Sequence, residues 1–258
     1  MTNEGQERAV RVLWVGNSYT MQGRLPRVVG RMVRDSDAPV RLESDAGTVG
    51  GKDWKWHFEN PDSRAMPRLE RNRYDLVVLQ NHSLGSLRAR PQMMEYGRRF
   101  VELVRERGAE PVFFCTWPRR PDRAQTGSLR SDWDAIRGAY EELARRYEAV
   151  LAPVGHAWYR VMTERPDLDL HVGDGSHPSA AGTYLAACVF HATFTGRSPQ
   201  GLATRKAWEY RDVAGEWKQV EATLDEQTAA YLQRTAAEVR AELADRPEGG
   251  GLRLTVGR

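Results

Sequence analysis

The sequence predicts an α/β fold, a three-layer α/β/α sandwich around a central, mostly parallel five-stranded sheet. Three observations carry that reading. Short apolar runs alternate with amphipathic stretches of helical period, the order that builds parallel sheets. Five such runs with intervening helices make three layers. The chain has 258 residues, 40% of them hydrophobic and 28% charged, enough to cover both faces of such a sheet.

Taken in order, the strand candidates are 10–15 (VRVLWV), 40–42, 76–79 (LVVL), 111–115 (PVFFC) and 149–154. Between them lie helical patterns at 25–34, a Trp-rich stretch at 54–71, and further helices at 91–107 and 131–147. After the fifth strand a short helix is expected at 156–165, then the loop DLDLHVGDGSHPSAAG, then a strongly apolar helix over 180–195. Residues 199–218 read as irregular, with two tryptophans. Thr223-Leu-Asp-Glu226 has the form of a capping box, and Leu232, Ala236, Val239 and Leu243 make the apolar stripe of a final helix. The domain reading is therefore 1–198 for the sandwich, 199–246 for a helical extension packed on it, and 247–258 for a glycine-rich flexible tail.

Composition narrows the function. The net charge is +3, from 38 basic and 35 acidic residues that are interspersed along the chain, which argues against nucleic acid as a partner. No apolar run approaches the roughly twenty residues of a membrane span. The start, MTNEGQERAV, has no basic segment followed by an apolar one, so a cytoplasmic protein is expected. Cys115 and Cys188 are isolated and read as core thiols, and no histidine pair has metal-ligand spacing, so neither a metal nor another cofactor is expected. A homo-oligomer is compatible with the sequence.

The loops hold the chemistry. Parallel sheets present ligands beyond the carboxyl ends of their strands. There the chain places Asn17-Ser18 after the first strand, Gly50-Gly51 after the second, and Gln80-Asn81-His82 after the third. Ser18 sits where a helix N-terminus would help hold an oxyanion. Glycine lets a backbone N–H approach a ligand closely, and either amide of Gln80-Asn81 can donate a hydrogen bond. Asp174-Gly-Ser-His177 puts a carboxylate three residues before an imidazole, with Gly175 to permit a turn. A serine hydroxyl is a weak nucleophile until a base takes its proton, and the base needs a carboxylate to fix its tautomer. Pro178 suits the first turn of the next helix. Each element alone is ordinary: a capping turn, a loop, a helix start. Their joint order along the strand ends is what points to catalysis.

Those residues resemble the SGNH hydrolase superfamily, the GDSL-type esterases and lipases. GNSYT is similar to the first block, with Asn17 where the family has aspartate. GTVGGKDW resembles the glycine block, VVLQNHS the asparagine block, and DGSHPSAAGTYLAA the Asp-x-x-His block; together they span residues 10 to about 197. The resemblance implies Ser18 as nucleophile, His177 as base and Asp174 as its orienter. It also implies an oxyanion hole from the Ser18 and Gly51 N–H groups and the Asn81 side chain, with Gly50 and Gln80 competing for the last two places. Asn17, His82 and Trp117 are expected to bind substrate, with Trp54 and Trp56 as further candidates for an acyl or sugar platform, whereas His57, His156, His171 and His191 read as structural.

The expected activity is a serine esterase that releases a short acyl group, such as acetyl, from a small-molecule or glycan ester through an acyl-enzyme. An acyltransferase using the same intermediate and a non-catalytic binding protein are the alternatives. A GxSxG α/β-hydrolase is disfavoured, because no such motif occurs in the chain.

Overall fold

The computed structural model describes residues 8–202, 205–211 and 217–244, with backbone alone for 205–211 and 217–223. The elements are β1 (Arg8–Gly16), α1 (Ser18–Met21), α2 (Leu25–Arg34), β2 (Val40–Thr48), α3 (Trp54–Glu59), α4 (Met66–Arg71), β3 (Leu76–Leu79), α5 (Gly85–Arg88) and α6 (Arg90–Glu106). They continue with β4 (Glu110–Phe114), α7 (Leu129–Arg146), β5 (Val150–Ala152), α8 (Val154–Glu164), α9 (Ala180–Thr195), β6 (Arg205–Arg211), β7 (Trp217–Thr223) and α10 (Glu226–Ala244).

β1 to β5 form one sheet in the order β2-β1-β3-β4-β5, and every pairing in it is parallel. The period-two alternation of the strands decides which layer each side chain joins. Val10, Val12, Trp14, Val78, Phe114 and Ala152 face the layer of α2, α8, α9 and α10. Leu13, Val15, Val77, Leu79, Phe113 and Leu151 face the layer of α3, α4, α6 and α7. Because β1 lies between β2 and β3, its C-terminal end opens the crevice where the chain reverses direction across the sheet.

α9 explains its own position. It is apolar on all sides and buried along almost its whole length, as a helix sandwiched between sheet and outer helices must be. Phe190 meets Trp14 edge-on at 4.8 Å and Phe114 at 4.9 Å. Ser179 caps the helix by accepting the Gly182 N–H at 3.2 Å, and Gly196 ends it with φ +67°. Ser179→Ala is expected to lower stability by about 1 kcal/mol, typical of a lost N-cap, measured as a fall in the urea midpoint at unchanged slope.

Several elements differ from the sequence reading for identifiable reasons. β2 runs nine residues, not three, because an edge strand pairs on one side only and carries polar residues freely. The Trp-rich stretch is two helices, α3 and α4. Asn60, with ψ 132°, ends α3 immediately before Pro61, as proline demands of its predecessor. The irregular segment holds β6 and β7, paired antiparallel with Trp208 opposite Val220. The cap of α10 is Asp225, whose carboxylate accepts the Thr228 N–H at 2.8 Å; Thr223 belongs to β7. Pro178 lies before α9, in an isolated bridge to His171. α10 packs Leu232, Ala236, Val239 and Leu243 into the same core as α9, and Gln233 Nε2 donates to Tyr184 Oη at 2.6 Å. The glycine-rich tail lies outside the described residues.

Candidate active site

The site begins where β1 ends. Asn17 caps α1: its Oδ1 accepts the Tyr19 N–H at 3.1 Å, and its Nδ2 donates to Lys52 O at 3.1 Å. Its own N–H donates to Gln80 Oε1 at 2.8 Å. One asparagine thereby ties together the loops after β1, β2 and β3. Ser18 follows it, half-buried, at the first position of α1.

The loop after β5 and α8 brings the other two groups. Val172 N–H donates to His177 O at 2.9 Å and Gly175 N–H to Val172 O at 2.9 Å, so residues 172–177 close into a turn. Gly175 takes φ +67° within it, a conformation glycine adopts at no steric cost. Asp174 Oδ1 accepts the N–H groups of Ser176 (2.8 Å) and His177 (2.9 Å). Its other oxygen, Oδ2, lies 2.5 Å from His177 Nδ1, and His177 Nε2 lies 2.8 Å from Ser18 Oγ.

Electrostatics settles the proton positions. Burial pushes the Asp174 pKa up, but the His177 ring and the two backbone donors outweigh it and bring it from 3.8 down to about 2. An ionised carboxylate only accepts, so in the neutral ring His177 Nδ1 carries the hydrogen and Nε2 keeps its lone pair for the Ser18 hydroxyl.

The glycine loop turns tightly: Lys52 N–H donates to Val49 O at 3.3 Å, with φ +69° at Gly51, the third residue of a type II-like turn. Nothing lies within 4 Å of where a Cβ would stand on Gly50 or Gly51. Among the described residues no acceptor meets either glycine's N–H. Asn81 Oδ1 accepts the Trp54 N–H at 3.0 Å. That bond fixes the amide's orientation and leaves Nδ2 as its donor face.

Gln80 is placed differently. It is 0% exposed; Oε1 accepts from Asn17 N–H and, at 3.0 Å, from Thr20 Oγ1, while Nε2 donates to Asn81 O. Gly16 has no room for a Cβ, which would stand 2.5 Å from that Oε1.

Two expected substrate contacts are enclosed instead. Asn17 is 2% exposed and its polar atoms are engaged as described. Trp117 is 1% exposed, stacked between Tyr19 at 4.6 Å and Trp158 at 3.9 Å, with Nε1 donating to Ser176 O at 3.0 Å. Both bear on the site as supports: Asn17 ties the loops together by its hydrogen bonds, and Trp117 packs its ring where water is excluded. Trp54 is buried likewise, Trp56 is half-buried beneath Lys52, and His82 is half-buried at the rim. His57 is wholly buried, its Nε2 donating to Gly16 O at 2.9 Å, and burial lowers its pKa. Tyr19 is a group the sequence reading passed over. Its ring meets His177 edge-on at 5.5 Å and its hydroxyl bonds Ser176 Oγ at 2.7 Å.

Among the described residues no group of three or more His, Cys, Asp or Glu is arranged to hold a metal ion, and no helix is long and apolar enough to cross a membrane.

No protein-family model and no curated protein matches the chain. Solved structures do. A protein assigned as an SGNH hydrolase, from Slackia heliotrinireducens, is 27% identical with a TM-score of 0.63, covering 72% of this chain and 99% of its own. A DUF4886 family protein from Bacteroides uniformis is 17% identical with a TM-score of 0.68, covering 90% of this chain and 94% of its own. That share is too large to be confined to residues 1–198, so the similarity extends into the C-terminal elements. An acetylxylan esterase from Geobacillus stearothermophilus has a TM-score of 0.56 at 13% identity, over 72% of this chain and 94% of its own.

Proposed function

We propose that this chain, a relative of the SGNH hydrolase superfamily, is a serine esterase that removes a short acyl group, such as acetyl, through an acyl-enzyme on Ser18. The observation that carries the reading is the unbroken path from Ser18 Oγ to His177 Nε2 at 2.8 Å and from His177 Nδ1 to Asp174 Oδ2 at 2.5 Å. In this mechanism His177 takes the Ser18 proton as Oγ attacks the ester carbonyl. The oxyanion is held by the N–H groups of Ser18 and Gly51 and by Asn81 Nδ2. The imidazolium then protonates the departing alkoxide, and a second cycle with water as nucleophile frees the acid.

The short acyl preference is supported by how closely the surroundings of Ser18 are packed: Asn17, Tyr19, Gln80, Asn81 and Ser176 are all buried. Acetylxylan esterases among the structural neighbours agree with it. A series of p-nitrophenyl esters of increasing chain length, run beside fluorophosphonate labelling, tests both parts. Labelling of Ser18 with fastest turnover on acetate is the expected result. A folded protein that neither labels nor turns over any ester removes the proposal.

The low Asp174 pKa gives a pH prediction. Asp174 stays ionised from neutral pH down to about 2, so it adds no proton to the acid limb of kcat/KM, which is expected to report a single ionisation. Its logarithm is expected to rise with unit slope and level off. A slope of two would make a second ionisation essential. The linkage sign is that of a depressed acid: the stabilisation from Asp174 is complete above its ordinary 3.8 and is lost as pH falls towards about 2. Asp174→Asn is expected to lower activity at the plateau and to remove this part of the acid-unfolding slope, followed by fluorescence from pH 5 downward. Chelators are expected to leave the rate unchanged, since His177 activates the water.

A further inference from the structure

Resting on the esterase reading, we propose that Arg119 is a specificity-determining residue that seats a carboxylate of the substrate beside the nucleophile. Arg119 lies in the connection after β4, and the chain on both sides of it is tied to the triad loop. Trp117 Nε1 donates to Ser176 O at 3.0 Å, and Arg120 N–H donates to Gly175 O at 2.9 Å. The charge of Arg119 acts on the Tyr19 hydroxyl and on His82. The guanidinium also hydrogen-bonds the Tyr19 hydroxyl; Tyr19 follows Ser18 in the chain and His82 follows Asn81.

Its neighbours are neutralised and it is not. Arg120 pairs with Asp122 at 3.4 Å and Asp169 at 3.2 Å, and Arg123 with Asp122 at 3.5 Å. Among the described residues no carboxylate comes within ion-pair distance of Arg119, and its Nε is buried without an acceptor. A buried guanidinium N–H without a partner is unfavourable unless something that binds there fills it.

The surroundings favour an anion. Arg88, from α5, also acts on His82; it bonds the Gln125 amide and has no carboxylate partner among the described residues. His82 Nδ1 accepts the Leu84 N–H at 3.2 Å, which leaves the hydrogen of the neutral ring on Nε2 as a donor. Asp53 reaches His82 as well, but its oxygens already accept from the Trp56 N–H and from Gln92 Nε2, both at 2.8 Å. Two guanidinium groups and an imidazole N–H thus oppose one engaged carboxylate. The planar fork of arginine matches a carboxylate with two parallel hydrogen bonds.

The test compares matched esters on the wild type, Arg119→Gln and Arg119→Lys. One pair, p-nitrophenyl butyrate and p-nitrophenyl hydrogen succinate, places the charge on the acyl side; the other, phenyl acetate and meta-acetoxybenzoate, places it on the alcohol side. In one pair the wild type is expected to favour the charged member. Arg119→Gln should then lower the charged-to-neutral ratio of kcat/KM by about tenfold or more, the worth of a charge-assisted bond, with Arg119→Lys recovering part of it. Equal losses on both members would assign Arg119 to packing against Tyr19 and overturn the proposal, as would a wild type without preference in either pair. A second readout needs no turnover: calorimetric binding of succinate to Ser18→Ala protein, expected to weaken about tenfold when Arg119→Gln is added. Undetectable binding, or the same affinity in both, overturns the anion site. Absence of ester turnover and of Ser18 labelling would instead remove the esterase reading.

Discussion

Ser18→Ala is expected to lower kcat by about a thousandfold or more while leaving the protein folded, because the nucleophile, base and orienting carboxylate act as one unit. The Ser18 hydroxyl has one bonded partner among the described residues, His177 Nε2 at 2.8 Å, so its removal breaks no other contact. Asn17 still caps α1 through the Tyr19 N–H, and the loops after β1, β2 and β3 stay tied. His177→Ala is expected to cost a similar factor. The double variant should be little worse than either alone, since a triad without its nucleophile gains nothing from its base. Steady-state rates on p-nitrophenyl acetate measure the loss, and far-ultraviolet circular dichroism checks the fold. Retention of more than about a tenth of the activity by Ser18→Ala would falsify the assignment.

What the sequence disclosed, and what it did not, follows from the range of the interactions involved. α2 and α9 are legible to the residue because their signals are local: Pro26 in the first turn of one, Ser179 and Gly196 at the two ends of the other. The Asp174–His177 relation is local too, three residues across a glycine turn. β2 was under-read because its nine residues are specified by pairing with β1 and not by apolar content. The enclosure of Asn17 and Trp117 was hidden for the same reason. It depends on Lys52, Gln80 and Ser176, partners 35, 63 and 59 residues away. Nothing in the local pattern says that an asparagine beside a serine will be spent on two other loops, or that a tryptophan past a strand will sit inside a ring stack. Arg119 was passed over because it lies in a run of arginines, and only tertiary structure separates the paired from the unpaired.

The Gln80-Asn81 pair shows the same division and yields the sharpest expectation about the oxyanion hole. The two adjacent amides looked interchangeable in the sequence, yet their surroundings ask different things of them. Gln80 holds Asn17 N–H and Thr20 Oγ1 from a fully buried position. Gln80→Ala therefore strands buried donors, at roughly 1–3 kcal/mol each, and is expected to appear first as a lowered unfolding midpoint. Asn81 has a different balance: Oδ1 is committed to Trp54 N–H at 3.0 Å, and Nδ2 is its donor. Asn81→Asp keeps an oxygen for Trp54 and replaces the donor with a second, charged acceptor. It should lower kcat by about a hundredfold or more with little change in KM, because the donor matters as charge develops on the carbonyl oxygen. Measuring kcat, KM and the urea midpoint for both variants separates the two roles. If Gln80→Ala costs the larger factor in kcat at a temperature where it is fully folded, and Asn81→Asp costs almost none, the donor is Gln80 or a group it positions. The bond from Asn81 to Trp54 would then be its whole purpose.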